Sequence, residues 1–309
     1  MRAITFTQFG AAPALRTDAP AQAPGPGEVL VRVRASSVNP VDNAIAAGML
    51  KDMVEHEFPI TLGRDYAGIV EQIGADVTNF SVGDEVYGFI PGTSPTVHAG
   101  SWAELIVVPE GLSIARKPDS LDLATAGAAP LAAITAMTAI DSLQLAEGDT
   151  LLIVGATGGV GSIAVQLATA AGATVIAPAH PEDQDYLHNL GAAEILPRDS
   201  DVTDTVRQRH PDGVDALLDN VSYAPGAYDS ALKHGARIAS PNMAAGEGPN
   251  RTNVTAAPTT ENLERLARLL DAGTLQIHIQ QTYPLDQAPD AMNTLATSHT
   301  RGKLALNVT

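Results

Sequence analysis

Leu151-Leu152-Ile153-Val154 is an unbroken apolar run, the pattern of a parallel strand buried on both faces. The glycine-rich turn Gly155-Ala156-Thr157-Gly158-Gly159-Val160-Gly161 follows and opens a helical pattern that reaches Ala171. Ile163, Val165, Leu167 and Ala168 provide that helix with an apolar face. A second strand is predicted at 173–177, and further strands at 193–196, 215–218 and 236–240. Helices are predicted between them at 183–190, 201–209 and 228–234. This alternation predicts an open parallel sheet with helices on its faces. Upstream the texture differs. Residues 1–118 carry short apolar runs (Val29-Leu30-Val31, Ile69-Val70, Leu105-Ile106-Val107-Val108) separated by Pro and Gly, the pattern of a compact antiparallel β domain. A strand ends near Val38-Asn39-Pro40, and a short helix follows it to Gly48. Residues 123–143 read as helix in two pieces, because Pro130 cannot sit inside one. Residues 241–258 read as a mobile loop and 261–270 as an amphipathic helix with Leu263, Leu266, Leu269 and Leu270 on one face. Strand character returns at 275–279 and 303–308.

Composition narrows the class without changing this outline. At 309 residues the chain has room for about two domains, each with its own core. No stretch of about 18 strongly apolar residues suggests a membrane span, and the N-terminus reads as a strand rather than a signal segment. The absence of cysteine excludes disulfides, thiolate nucleophiles and Cys-ligated zinc. The cytoplasm is the expected compartment. A formal charge of −17 repels nucleic acid phosphate and anionic lipid, so neither is an expected partner.

The glycine turn has the chemistry of a dinucleotide site. Gly158 lets the backbone approach a pyrophosphate, Gly161 lets the helix lie close on its strand, and the free amides of the first helical turn attract the anion. Ala156 stands where the usual fingerprint has its first glycine.

Several segments together carry a resemblance that spans essentially the whole chain. They are Val38-Asn39-Pro40-Val41-Asp42, Leu62-Gly63-Arg64-Asp65-Tyr66-Ala67-Gly68, Gly83-Asp84-Glu85-Val86-Tyr87-Gly88 and Gly100-Ser101-Trp102-Ala103-Glu104. Pro130-Leu131-Ala132-Ala133-Ile134-Thr135-Ala136, Gly158-Gly159-Val160-Gly161 and Arg301-Gly302-Lys303-Leu304 complete the set. In this order the chain resembles the zinc-independent quinone oxidoreductase branch of the medium-chain dehydrogenase/reductase superfamily. The resemblance implies an α/β protein with a GroES-like substrate domain at 1–118, an inserted Rossmann-type doubly wound domain at 119–257, and a C-terminal return to the first domain at 258–309. It implies nicotinamide and substrate in the cleft between the domains, and a homodimer formed through the edge of the nucleotide-domain sheet. Relatives with catalytic zinc present Cys near 39, Gly-His-Glu near 63–65 and Cys near 131. Here Asn39, Arg64 with Asp65, and Leu131 occupy those places, and Asn, Arg and Leu are not zinc ligands. Zinc-type alcohol chemistry is therefore disfavoured, and no metal is expected.

Hydride transfer to a quinone or activated carbonyl asks the protein mainly for orientation and exclusion of water. The expected catalytic groups are Asn39, whose amide can donate to a carbonyl oxygen, with Tyr66 and Arg64. Asp42 reads better as a helix-start residue than as an acid. By the same resemblance, Thr135, Thr157, Gly158, Gly159, Val160, Gly161, His180, Arg198, Asn220 and Ser240 would contact the cofactor. The second strand lacks the terminal carboxylate that favours NAD, and Arg198 could pair a 2′-phosphate, so NADPH is expected ahead of NADH. Glu182 and Asp183 would oppose that phosphate if they pointed toward it. The eight histidines (His56, His98, His180, His188, His210, His234, His278, His299) form no helical metal pair, and Ser101 and Ser222 lack a nucleophile elbow. Two alternatives stay open: a carbon–carbon double-bond reductase of an enone or alkenal, and a non-catalytic NADPH-binding or structural protein.

Overall fold

The computed structural model describes residues 1–91, 96–97 and 99–309, so His98 lies outside the described residues. Contacts divide the chain into two units. Met1–Leu131, Ala257–Gly273 and Ile277–Thr309 form the first, and Ala132–Ala256 with Thr274–Gln276 form the second. Against the expected change at 118/119, the helix Leu123–Ala126 stays with the first unit, where it packs on the strand Glu28–Val38. Asp122 caps that helix by accepting from Thr125 N at 2.7 Å, and the next helix, Pro130–Leu143, starts on a proline with no N–H to lose.

The first unit is built on Glu28–Val38. This strand pairs antiparallel with Asp65–Ile73, Leu105–Pro109 and the C-terminal strand Lys303–Asn307. Its mostly buried side chains pack with Ile4, Ile60, Leu62, Tyr66, Trp102, Ile106, Leu304 and Leu306 in one apolar core. The pairing Val38↔Leu304 and Ser36↔Tyr66 sets the three strand ends side by side, and with them Asn39, Asp65 and Lys303. Asn39 then opens the helix Pro40–Ala46.

In the second unit all strands are parallel, in the order Glu194–Pro197, Thr174–Ala179, Thr150–Val154, Val214–Asp219, Leu232–Ser240, Arg251–Asn253. The sheet order reverses around Thr150–Val154, where the glycine turn leads into the helix Gly159–Ala170. A Cβ on Gly161 would lie 2.1 Å from Gly155 O, so only glycine permits this approach of helix to strand. The short Thr274–Gln276 joins this unit through Gln166, whose side chain bonds both the carbonyl and the N–H of Gln276.

Three expected elements are corrected. The helix expected at 228–234 is a 3-10 turn, Asp229–Ala231, running into the strand Leu232–Ser240. Leu232 pairs with Val214, and Gly235 sits at φ +81°, so sheet pairing with a bulge overrides the local helical pattern. The stretch 241–258, expected as loop, includes the strand Arg251–Asn253 at the sheet edge. The strand expected at 275–279 begins at its last residue and runs Ile279–Pro284. The helix Ala288–Thr297 went unanticipated, although Pro289 and Asp290 in its first turn and buried Ala288, Ala291 and Met292 carry its signal.

Gly161→Val is expected to lower unfolding free energy by about 1–3 kcal/mol in urea titration, because the helix must lift from its strand. Gly158→Ala is the control. Its Cβ would meet only Gly155 O at 3.7 Å, so stability should stay within about 0.5 kcal/mol.

Candidate active site

In the second unit, the glycine turn leaves a helix start with no side chain capping it: Gly158 is the N-cap and offers none. The first-turn amides of Gly159, Val160 and Gly161 have no intrahelical acceptor by helix geometry, the arrangement that binds a pyrophosphate. Thr157 is buried in the turn, and Thr135 is buried on the helix Pro130–Leu143. At the end of Val214–Asp219, Asn220 donates from Nδ2 to Val154 O at 3.0 Å, while its Oδ1 is buried with no partner among the described residues. An orphaned acceptor at the carboxyl end of a parallel sheet fits a ligand hydroxyl or amide. Asp219 Oδ1 accepts from Val221 N and Ser222 N and shapes that turn. Ser240 is fully buried, and its Oγ accepts from Asn242 N and Ala244 N, so its role is to hold the turn after Leu232–Ser240. At the ends of the neighbouring strands, Arg198 Nη1 lies 3.3 Å from His180 Nε2. Arg198 is exposed, Asp183 is buried and Glu182 is exposed.

In the first unit, the strand ends bring together a buried polar cluster. Asp65 Oδ2 accepts from Ser37 Oγ at 2.6 Å and from Asn39 Nδ2 at 2.8 Å, and Asp65 Oδ1 accepts from Leu131 N at 2.7 Å. Lys303 Nζ donates to Asn39 Oδ1 at 2.5 Å and to Val38 O at 3.3 Å, and lies 3.5 Å from Asp65 Oδ2. The N–H of Asn39 donates to Asp42 Oδ2 at 2.8 Å, and Gly63 N to Asp42 Oδ1 at 3.2 Å. Asp42 thus serves the start of the helix Pro40–Ala46 from its third position, while Asn39 is the N-cap. Arg64 is buried beside it, with Nε 4.0 Å from Asp42 Oδ1 and Nη1 donating to Pro91 O at 3.2 Å; its Nε has no hydrogen-bond partner among the described residues. Burial pushes the Asp42 carboxyl up to about 6, against the Arg64 charge and the Asn39 N–H. Burial also lowers the pKa of Lys303, against the charges of Asp65 and Asp42.

The zinc question turns on these donors. Asn39 Oδ1 already holds an ammonium, Leu131 contributes only a backbone N–H, and Arg64 is itself a buried cation. A divalent cation would face two fixed positive charges and no thiolate or imidazole, so these residues do not fit zinc. Among the described histidines, His188 bonds Ala192 O and His210 bonds Glu194, and neither belongs to the cluster.

The comparisons with known proteins agree along the chain. An alcohol dehydrogenase GroES-like domain matches residues 25–119, and a zinc-binding dehydrogenase domain matches residues 190–306. The NAD(P)H oxidoreductase RTN4IP1, mitochondrial, of Homo sapiens is 31% identical over 92% of this chain and 82% of its own length. The 2-methylene-furan-3-one reductase of Solanum lycopersicum is 30% identical over 99% of this chain and 79% of its own. The quinone oxidoreductase structure from Coxiella burnetii superposes with a TM-score of 0.87 at 30% identity, covering 100% of this chain and 99% of that one. The chain belongs to the quinone oxidoreductase branch of the medium-chain dehydrogenase/reductase superfamily.

As a member of this superfamily the protein has a GroES-like first unit and a Rossmann-type second unit. Of the expected catalytic residues, the structure brings Asn39 and Arg64 to the two ends of the buried cluster through Asp42. Tyr66 is fully buried and donates its hydroxyl hydrogen to Ser113 O at 2.6 Å, and burial raises its pKa well above 10. The Arg64 guanidinium is 1% exposed and faces Pro91 O, Thr61 O and Asp42, so it supports the cluster from within. Lys303 and Asp65 were missed as site residues. A lone lysine in a C-terminal strand and an aspartate beside an arginine carry no local signal, since only strand pairing brings them together.

The Asp42 pKa makes stability depend on pH with a definite sign. The folded value of about 6 exceeds the ordinary carboxyl value of 3.8, so protonation favours the folded state. Asp42's contribution is full below about pH 4 and is lost as pH rises through about 6. The stability of wild type relative to Asp42→Asn should therefore fall, by on the order of 2 kcal/mol, between pH 4.5 and 7.5 in urea unfolding. A pH-independent difference would reject this role for Asp42.

Proposed function

We propose that this protein is a metal-independent, NADPH-dependent reductase that delivers hydride to a quinone or another activated carbonyl acceptor. The observation that carries this reading is the buried Lys303–Asn39–Asp65 cluster, standing where the superfamily's zinc users need their ligands. An electron-poor acceptor needs no Lewis acid, only a donor for the oxygen on which charge develops. Bound nicotinamide supplies the hydride. The chain's own groups bind and orient. The amides of Gly159, Val160 and Gly161 hold the pyrophosphate, and Asn220 Oδ1 accepts from a hydroxyl or amide of the cofactor. Arg198, with His180 at its side, pairs the 2′-phosphate. Burial of Asp183 removes one of the two carboxylates that would oppose it. Thr135 and Thr157 complete the cofactor contacts. Asn39 donates from Nδ2 to the acceptor oxygen; besides Asp65, that nitrogen has among the described residues only a long contact with Ser37 Oγ, at 3.4 Å.

A second reading, reduction of an enone carbon–carbon bond, is supported by the tomato relative. The same donor serves it, because charge develops on the conjugated oxygen in both reactions. The proposed compartment is the cytoplasm. The human relative is named mitochondrial, and no helix among the described residues is long and apolar enough to cross a membrane. A homodimer is proposed through the edge strand Arg251–Asn253, whose outer side ends the sheet order.

A panel of quinones, enones and alkenals, assayed with NADPH and NADH, tests the reading. Turnover of quinones supports the first reaction, and a saturated ketone product with no quinone turnover supports the second. Tight NADPH binding without any turnover would overturn both. Arg198→Ala should weaken NADPH binding about tenfold and leave NADH binding unchanged. An NADPH preference that survives the substitution removes Arg198 from the phosphate site. Asn39→Ala should lower kcat about a hundredfold, the usual effect of losing one oxyanion donor, with NADPH affinity retained.

A further inference from the structure

We propose that Lys303 is a positioning residue for this reaction: its ammonium locks the Asn39 carboxamide in the one orientation that offers an N–H to the acceptor oxygen. The inference rests on the reading of Asn39 given above. A carboxamide has nearly the same shape when its oxygen and nitrogen exchange places, so packing alone does not orient it. Chemistry on its two sides does. Lys303 can only donate and the Asp65 carboxylate accepts, so Oδ1 must face the ammonium and Nδ2 the carboxylate. The flipped amide would set N–H against ammonium and oxygen against carboxylate in a buried site.

The clamp is itself rigid. Lys303 is 4% exposed and directs its three hydrogens at Asn39 Oδ1, Val38 O and Asp65 Oδ2. Its backbone N–H donates to His278 O at 2.9 Å, and the next residue, Leu304, pairs with Val38. Gly302 aims this turn at φ +65°, and a Cβ there would come 2.2 Å from His278 O. On the other side, Asp65 is held by Ser37 Oγ and Leu131 N as well as by Asn39. One amide hydrogen of Asn39 is thus committed to Asp65. The further contact of Nδ2 among the described residues, to Ser37 Oγ at 3.4 Å, is at the long end of the hydrogen-bond range and lies on the Asp65 side, since Ser37 Oγ is itself 2.6 Å from Asp65 Oδ2. The second amide hydrogen, directed away from that side, is the one an acceptor oxygen can claim.

The test is a double-mutant cycle with Asn39→Ala and Lys303→Met, read on kcat, KM for a quinone and Kd for NADPH, together with the Asn39 side-chain amide signals in proton–nitrogen NMR. Lys303→Met alone should lower kcat about tenfold to a hundredfold, as misplacement of a donor does, with NADPH Kd unchanged. In the Asn39→Ala background the same substitution should leave kcat unchanged, because the group it positions is gone. An equal loss in both backgrounds would show that Lys303 acts some other way and overturn the proposal. In NMR, the Asn39 amide hydrogens should be well dispersed in chemical shift and slow to exchange with solvent in wild type, and should move toward free-amide shifts and exchange faster in Lys303→Met; unchanged shifts and exchange would also overturn it. If Lys303→Met fails to fold, Lys303→Gln takes its place in the same cycle: its amide can turn either a donor or an acceptor to Asn39 and so no longer dictates the orientation, and the same pattern is expected. Absence of turnover by the wild type with every acceptor would overturn the reading of the site, whereas the amide signals would still decide whether Lys303 clamps Asn39.

Discussion

Four ionisable side chains that the first unit removes from water, Asp42, Arg64, Asp65 and Lys303, set the terms for the rest of the site. A charge taken from water is costly unless each of its hydrogen-bonding positions is answered, and removing one partner of such a pair costs about 3–5 kcal/mol. The structure answers Asp65 and Lys303 almost completely, with Ser37, Asn39, Leu131 N and Val38 O filling the remaining positions. Among the described residues it answers Arg64 less well, leaving Nε without a partner and Asp42 Oδ1 4.0 Å away. The well-satisfied half of the cluster contains Asn39. Precision there and slack beside it are what a donor needs if it is to keep one geometry while its surroundings adjust to an acceptor.

The second unit meets a different demand, close approach of backbone to backbone. Its glycine turn brings a helix start onto the end of a buried strand, and the atoms Gly161 would crowd if it carried a Cβ belong to that same turn. Charge complementarity then comes from the flanking strands rather than from the turn. Arg198 and His180 supply it at one edge, and the uncommitted Asn220 oxygen supplies an acceptor at the other. In a chain of net charge −17, the Arg198 guanidinium at the strand ends is a local positive charge on a surface that as a whole repels anions.

What could be read from the sequence follows from how local each signal is. The strand, turn and helix around Gly158 are contiguous, so apolar periodicity and three glycines were enough. The antiparallel unit showed its strands but not its pairings. Asn39 was visible because it lies in a segment that carries the family resemblance and bears an amide that can donate, whereas Lys303 lies 264 positions away and gains meaning only when the last strand docks on the Glu28–Val38 strand. For Tyr66 and Arg64 the sequence showed the strand Asp65–Ile73 and the turn before it, but only the three-dimensional packing shows that both side chains are buried. The helix expected at 228–234 failed where a sheet neighbour recruited Leu232, a competition that composition does not register.

The placement of Lys303 has a consequence for biosynthesis. Asn39 and Asp65 leave the ribosome early, but the cation that pairs with Asp65 comes more than 200 residues later, on a strand that also fills a gap in the central sheet of the first unit. Until the strand Lys303–Asn307 has emerged, that unit carries a buried-to-be carboxylate without its counter-ion and an open strand edge. The second unit draws nearly all its residues from the middle of the chain and has its full sheet by residue 253. A nascent chain therefore holds every strand of the second sheet before the first unit has its last strand and its counter-ion, so the unit begun earlier is the later to be completed.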